Sequence, residues 1–389
     1  METIYNRWKG QLQRRCTFHV DERVVPMRLE LPLSIATSVA KIEEILAGLP
    51  DQIESVELRL SMSLKTDDLM AKQALPFLVA TLRQRSEHLL LKIFTTSLRV
   101  ETLRDDPLLF AAASVSDQVI LRGGTELESH VAHLIERAGE QRRKPKRRID
   151  GVYHSTQSVR IIACDDLPQS ILPSHFYRLD GSMISVTSFQ DRIRTIWEPM
   201  NWAGSKETVE GISRILWELF ENTDKHARVS NEYELVRHSI RGCMLDYQLA
   251  DQISFLEQAH PVSQFLANSK QAGAAHFLFL TVFDSGVGIP EHRRPINESG
   301  VKKTDNELLA ECFKMPVNGS SNRGRGLPLV ADILGKMDIP GAAYIRSGSI
   351  SAFLTSGTLT ETCQKQTGRT GTMFTVILPY TSRGFKSKK

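Results

Sequence analysis

The sequence lacks the features that mark membrane, secreted and zinc-binding proteins. Its longest apolar stretch, Ala274–Phe283, is interrupted by His276 and is far too short to span a bilayer. The first residues contain no apolar run like that of a signal peptide. The five cysteines are scattered, and no two of them have metal-ligand or redox spacing. We therefore expect a cytoplasmic protein with reduced thiols and no membrane contact.

A strong net charge is also missing. The formal charge of +4 on 389 residues gives only a weak field, so it is no argument for nucleic-acid binding by itself. The hydrophobic fraction of 41% is ordinary for globular proteins, and the length is enough for two or three domains.

The first third of the chain alternates between strand and helix patterns. Apolar, strand-like runs occur at Ser55–Ser61, Leu89–Phe94 and Asp117–Leu121, and Thr66–Arg85 has apolar residues at helical spacing. This alternation predicts a small α/β domain with parallel strands over residues 1–139, acting as a sensor or partner domain. The spacing resembles that of the sulfate-transporter and anti-sigma-antagonist (STAS) domains.

A basic segment follows at residues 140–150. Residues Arg142–Arg148 consist of six basic residues and one proline, and they cannot form a hydrophobic core. We interpret it as a linker; the alternative is an arm that binds the phosphates of nucleic acid or anionic lipid. Residues 151–205 have strand-like pieces at Val159–Cys164 and Met183–Ser188. They could form a middle domain or begin the next one.

The segment ELFENTDKHA, Glu218–Ala227, continues a helical pattern that starts near Val209. Glu218 and Asn222 are four residues apart, so their side chains leave the same helix face about one turn apart. A carboxylate in this position can orient or deprotonate a water molecule. The amide oxygen can occupy one position around a magnesium ion whose other ligands are phosphates and water.

Other residues of this helix receive different interpretations. Lys225 lies on the face of Asn222, where it could reach a phosphate or remain a solvated lysine. Glu221 and Asp224 should point away as ordinary surface acids. Trp217 is expected in the core.

A second segment, Phe279–Pro290, runs from an apolar strand into Asp284 and then into a turn with Gly286 and Gly288. Glycines in such a turn let the backbone approach a flat ligand closely. Asp284, at the start of this turn, could accept a hydrogen bond from an exocyclic amine.

A third segment, Ser320–Val330, places glycines directly before a helical run, and the run Gly371–Pro379 reads as a closing strand. Free backbone amides at a helix N-terminus, together with the helix dipole, favour phosphate. The glycines and the arginines that add positive charge are Arg323, Gly324, Arg325 and Gly326.

In this order, the three segments and the closing strand resemble the GHKL family, which includes gyrase, heat-shock chaperones, histidine kinases and mismatch-repair ATPases. The resemblance extends from about Lys206 to Tyr380. It implies that residues 206–389 form a two-layer α/β sandwich with a mixed sheet that binds ATP and Mg²⁺. By the same resemblance, Asn222 would hold magnesium, Asp284 the adenine amino group, and residues 291–321 would form a lid. The remaining nucleotide contacts would be Lys225, Gly286, Gly288, Arg323, Gly324, Arg325, Gly326, Leu327 and Thr372.

The family resemblance leaves three kinds of activity open: an ATPase switch with Glu218 positioning water, a protein kinase, or a nucleotide-sensing module with little turnover. The position of the motifs at the end of the chain resembles the kinases. The histidines lack the context of a phosphoacceptor helix, so we do not expect autophosphorylation on histidine.

The interval between Asn222 and Asp284 is long for this family. We therefore expect residues 229–275 to hold an insertion or extra helices, and Ser349–Arg369 to extend the last hairpin. A protein partner would bind the amino-terminal domain or this insertion; a homodimer is a further alternative.

Overall fold

The computed structural model describes residues 27–33, 48–50, 52–62, 78–94, 115–116, 118–121, 125–126, 152–154, 158–164, 176–178, 180–197, 205–228, 239–253, 261–294, 303–314, 326–337, 340–364 and 371–381. Within these ranges, no helix combines the length and the apolar character that crossing a membrane would need.

The amino-terminal part forms a five-stranded sheet in the order β1-β2-β3-β4-β5. Its strands are β1 (Met27–Leu33), β2 (Ile53–Met62), β3 (Ser86–Phe94), β4 (Gln118–Leu121) and β5 (Thr125–Glu126). The first four are parallel, and β5 pairs antiparallel with β4. The predicted α/β unit with parallel strands is therefore confirmed.

Helix α1 (residues 78–85) belongs to this part of the chain. Every residue from Leu78 to Leu82 is almost fully buried, so the helix is covered on all sides. It confirms the end of the predicted helix Thr66–Arg85, whose earlier residues lie outside the described ranges.

The second sheet has eight strands in the order β12-β11-β10-β13-β9-β8-β7-β6. They are β6 (Val152–His154), β7 (Ser158–Cys164), β8 (Ile240–Leu249), β9 (Ala274–Asp284), β10 (Ala342–Ser347), β11 (Ile350–Thr355), β12 (Thr358–Gln364) and β13 (Thr372–Thr381). All their pairings are antiparallel. The expectation of a mixed sheet is therefore wrong. Short turns join β10 to β11 and β11 to β12, and such turns permit only antiparallel pairing.

The described helices of this part are α2 (Val186–Trp197), α3 (Lys206–His226), α4 (Pro261–Gln271), α5 (Ile289–Arg293), α6 (Asp305–Glu311) and α7 (Gly326–Lys336). On one face of the sheet, Ile212, Leu216 and Phe220 of α3 share a buried core with alternate residues of β9. Helix α3 begins after Ser205, whose side chain accepts a hydrogen bond from the Thr208 amide. The core holds α3 against the sheet, with its last turns near the end of β9.

Helix α4 lies on the other face of the sheet. Its Phe265 ring meets the ring of Phe353 at a centroid distance of 6.2 Å. On β11, Phe353 alternates with Ala352 and Leu354, which belong to the core under α3. The second face is therefore covered at this point, which adds a layer to the expected two-layer sandwich.

The segments left open by the sequence join the second sheet. Strands β6 and β7 extend its edge beside β8, and Phe176 and Phe189 enter the core with α3. The predicted strand Val159–Cys164 is confirmed. The strand expected at Met183–Ser188 is wrong. Met183 forms an isolated bridge with Tyr177, and Ser185 accepts a hydrogen bond from the Ser188 amide, so that α2 starts at Val186.

The supposed insertion at 229–275 contains β8, a central strand of the sheet, followed by a 3₁₀ turn (Ala250–Gln252) and α4. Among the described residues of this interval, the expectation of extra helices holds for α4. Strands β11 and β12 confirm the extended hairpin after Ser349.

Candidate functional site

Helix α3 and the start of α7 bring Glu218, Asn222 and Gly326 together. A Cβ atom on Gly326 would lie 2.9 Å from Nδ2 and 3.3 Å from Oδ1 of Asn222, and 3.4 Å from Oε2 of Glu218. Glycine is therefore the residue that lets the N-terminus of α7 approach both polar side chains. These are the acid, the amide and the glycine of two sequence segments more than 100 positions apart.

The Glu218 carboxylate is buried, and its Oε1 is 2.5 Å from Nη2 of Arg214, one turn earlier on α3. The other oxygen, Oε2, is the one nearest Gly326. A charge-assisted pair of this kind fixes the orientation of the carboxylate. Glu218 is thus held with one oxygen toward the junction of α3 and α7.

Asp284 ends β9 in a row of residues that lie side by side on four strands. It is paired with Arg241 of β8 on one side and Thr372 of β13 on the other, and Thr372 is paired with Ser347 of β10. Side chains of directly paired residues project from the same face of a sheet. The Thr372 and Ser347 hydroxyls are 2.9 Å apart, and Ser347 Oγ accepts the Ile289 amide at the start of α5.

The Asp284 carboxyl is buried and accepts the Gly286 amide at 3.0 Å. Burial raises the pKa of Asp284 to about 7, opposed by hydrogen bonds from the Gly286 and Thr372 amides and by the charge of Arg241. A buried carboxyl that titrates near neutrality is common where a protein binds or transforms a ligand.

The turn after Asp284 fits tightly against neighbouring backbone. A Cβ on Gly286 would lie 2.6 Å from the Cα of Ala227, at the end of α3. Gly288 has φ +86°, and a Cβ there would lie 3.0 Å from the Gly348 amide. Both glycines are therefore required by their position. They hold the turn between the end of α3 and the β10–β11 connection.

Helix α3 links the two groups of predicted residues. Glu218 and Asn222 lie beside α7, and Ala227 lies beside the Asp284–Gly286 turn. The nine residue steps from Glu218 to Ala227 span about 14 Å of helix axis.

Positive charge gathers where α3 ends and α5 begins. The rings of His226 and His292 are 4.6 Å apart. Burial, with the charges of His292, Arg293 and Lys225, lowers the pKa of His226 to about 4. Lys225 is 54% exposed and its Nζ is 2.8 Å from Oε2 of Glu221. In this arrangement Lys225 is a solvated, ion-paired lysine whose charge lies close to the site.

Several predicted residues fall elsewhere. Leu327 packs against the core of the α3 face. Arg323, Gly324 and Arg325 lie outside the described residues, and so does much of the expected lid at 291–321, of which α5 and α6 are described. Trp217 packs against the core as expected, and its Nε1 donates to the Ile184 carbonyl.

Three residues that sequence reasoning did not select form a buried polar cluster. Arg241 is 0% exposed; its Nη1 donates to the Tyr177 hydroxyl at 2.6 Å and to Oδ1 of Asp224 at 2.7 Å. The Tyr177 hydroxyl donates to the same Asp224 oxygen at 2.8 Å. The expectation that Asp224 is an ordinary surface acid is therefore wrong. The available signal was an arginine directly before the run Gly242–Leu245 of β8, which contains no charged residue.

The polar groups of the site suit a metal that arrives with its ligand. Among the described residues, no group of three or more His, Cys, Asp or Glu side chains could hold a metal ion. Asn222 offers one neutral oxygen, and Glu218 is already paired with Arg214. Mg²⁺ commonly takes one or two protein ligands and completes its shell with phosphate oxygens and water. The residues present fit that pattern.

A scan against models of known protein families gives no match for this sequence, and a search of curated proteins gives none either. The functional assignment therefore depends on the residues and their geometry.

Proposed function

We propose that this chain binds ATP with Mg²⁺ along α3, between the Gly326 end of α7 and the Asp284 end of β9, as the GHKL resemblance implies. The observation that carries the proposal is the approach of Gly326 to Asn222 and Glu218. The three sequence segments predicted to bind one ligand meet along α3. This helix contains the first segment, Gly326 of the third approaches its middle, and Gly286 of the second lies against Ala227 at its end. Their order matches the chemistry of the ligand, with metal and phosphate groups at one end and an amine acceptor at the other.

In this proposal, Asn222 supplies an oxygen to Mg²⁺, and the N-terminus of α7 offers its free amides to phosphate. Asp284 accepts a hydrogen bond from the adenine amino group, and the Gly286–Gly288 turn lies against the base. Lys225 and Arg293 add positive potential that favours an anionic ligand.

Glu218 is the candidate catalytic residue. Its buried carboxylate, oriented by Arg214, faces the junction where the terminal phosphate would lie. There it can orient or deprotonate an attacking water in an ATPase, or activate the acceptor hydroxyl of a partner in a kinase. A nucleotide-sensing module with little turnover is the alternative.

Incubation of the full chain with γ-labelled ATP, alone and with cell lysate, separates these functions. Release of free phosphate indicates an ATPase, and a labelled protein band indicates a kinase. Binding in calorimetry without either product indicates the sensing module. No binding of Mg²⁺–ATP by the folded protein would refute the proposal.

Variants on α3 test the role of Glu218. Glu218→Gln should lower turnover by about 10²–10⁴-fold with nearly unchanged affinity, because the carboxylate acts on the nucleophile. Asn222→Ala should instead weaken Mg²⁺-dependent binding. Glu210→Gln, an exposed glutamate on the same helix, is the control and should change neither. Full hydrolysis and full transfer by Glu218→Gln would show that the carboxylate is structural.

A further inference from the structure

Arg241 is a fully buried cation in the second sheet, and the site as proposed gives it no role. An arginine keeps its charge in proteins, so its burial requires partners. Its Nη1 donates to Asp224 at the end of α3 and to the hydroxyl of Tyr177. Its guanidinium carbon also lies 5.6 Å from the Tyr177 ring centroid and 5.8 Å from that of Phe220. These contacts fix the position of the charge.

The register of the sheet places this charge beside the candidate adenine-binding acid. Arg241 of β8 and Asp284 of β9 are paired residues on neighbouring strands. Directly opposite residues have Cβ atoms about 4.5–5.5 Å apart and project to the same side. The backbone at this position is also locked, because Ser285 and Ile240 exchange hydrogen bonds through the Ser285 amide and hydroxyl.

We propose that Arg241 is the positioning residue for Asp284: its fixed cation favours the deprotonated form of that carboxyl, the form that accepts the adenine amine. This inference rests on the proposed function. Arg241 makes no contact with the nucleotide itself. It acts through Asp284, and its link to Asp224 ties β8, the strand next to the one that carries the acid, to the end of α3.

Asp284 is the group near this site that should titrate close to neutral pH. On β13 its paired residue is Thr372, which carries no charge. The charged or titratable side chains on the last turn of α3 and on α5 are Asp224, Lys225, His226, Arg228, Glu291, His292 and Arg293. Burial lowers the pKa of both His226 and His292, so both are neutral above pH 6.5.

The test is the pH profile of Mg²⁺–ATP affinity between pH 6 and 9, measured by calorimetry on the full chain. Wild type should lose affinity as the pH falls below about 7, where Asp284 takes up a proton. Arg241→Met should move the pH of this loss upward by about one unit, so that affinity is about fivefold below that of wild type at pH 7 and returns toward wild type at pH 9. Arg241→Lys, which keeps the charge, should restore most of the wild-type profile.

Three further variants make the assignment specific. Asp224→Asn keeps an oxygen for Arg241 but removes the charge that neutralises it, so the pH at which ATP affinity is lost should move downward. This variant also tests the proposal if Arg241→Met does not fold. Arg346→Met removes another buried arginine, which lies on the opposite face of the sheet, and should leave the profile in place. Adding Asp284→Asn to Arg241→Met should abolish the pH dependence. The same factor of loss at every pH in Arg241→Met, or no loss, would overturn the proposal.

A measurement without nucleotide separates this proposal from the proposed function. Because the pKa of Asp284 is raised on folding, the free energy of unfolding should fall as the pH rises from about 4 to about 7 and then level off. In Arg241→Met the fall should continue to about one pH unit higher. If this shift occurs while wild type fails to bind ATP, only the nucleotide function is wrong. If wild type binds ATP and neither profile moves, only the role of Arg241 is wrong.

Discussion

Substitution of Asp284 by asparagine should weaken ATP binding and strengthen the fold at the same time. Asparagine has nearly the same shape, and its oxygen can still accept the Gly286 amide that Asp284 accepts at 3.0 Å. What it loses is the negative charge and the second oxygen facing the adenine amine. An amine left without its partner costs about 1–3 kcal/mol, a five- to 150-fold loss of affinity.

The gain in stability follows from the burial of the charge. The pKa of Asp284 rises from an ordinary 3.8 to about 7 on folding, which corresponds to about 4 kcal/mol. The folded protein holds the proton more tightly than the unfolded chain, so wild type loses this stability as the pH rises from about 4 to 7. Asparagine does not ionise. The free energy of unfolding of the variant should therefore rise relative to that of wild type by up to about 4 kcal/mol between pH 4 and pH 8.

Urea unfolding at pH 5 and pH 8 measures the stability, and calorimetry at pH 8 measures the affinity. Asp246→Asn is the matched control, since Asp246 is buried on β8 but projects from the other face of the sheet; it should leave ATP affinity unchanged. Unchanged affinity in Asp284→Asn would refute the adenine assignment. An equal change in stability at both pH values would refute the buried-charge reasoning.

Two other perturbations test the α3–α7 junction and the independence of the second sheet. Gly326→Ala should lower Mg²⁺–ATP affinity by about 10–100-fold, because the new Cβ would displace the Asn222 amide. Gly211→Ala, whose Cβ meets only Ile333 of α7 at 3.3 Å, should leave the affinity in calorimetry unchanged, and equal effects would contradict this reasoning. Deletion of residues 1–140 should leave ATP binding intact, because the hydrogen bond lost between Gln84 and the Ser285 carbonyl contributes only about 1 kcal/mol. A shortened chain that is folded, as judged by circular dichroism, but does not bind ATP would contradict this prediction.

The elements with the strongest periodicity were predictable from sequence. Helix α3 has apolar residues at helical spacing along its length, and they form its buried face. Strand β9 is a long apolar run that ends in an acid and glycines, and the structure ends it at Asp284. Both patterns are local, so they are visible within a window of a dozen residues.

The pairing of the strands was not predictable in the same way. Strand β8 is separated from β7 by α2 and α3, and its place between β7 and β9 depends on contacts distant in sequence. The same limit explains the missed cluster at Arg241. An arginine at the start of a strand does not reveal that its partners are Asp224, 17 positions earlier, and Tyr177, 64 positions earlier. Only the fold brings a helix end, a loop and a strand together at this point.

The two faces of β9 argue that the end of this strand is built for a ligand. On one face, Phe277, Phe279 and Phe283 are fully buried, as stability alone would favour. On the other face the same strand ends in a buried acid beside a buried arginine, followed by a glycine at φ +86°. A buried charge lowers stability, and proteins retain such a feature mainly where function requires it. If the acid served only the fold, replacing it with asparagine would carry no penalty in binding. The opposite signs expected for Asp284→Asn in affinity and in stability distinguish a ligand site from a structural one.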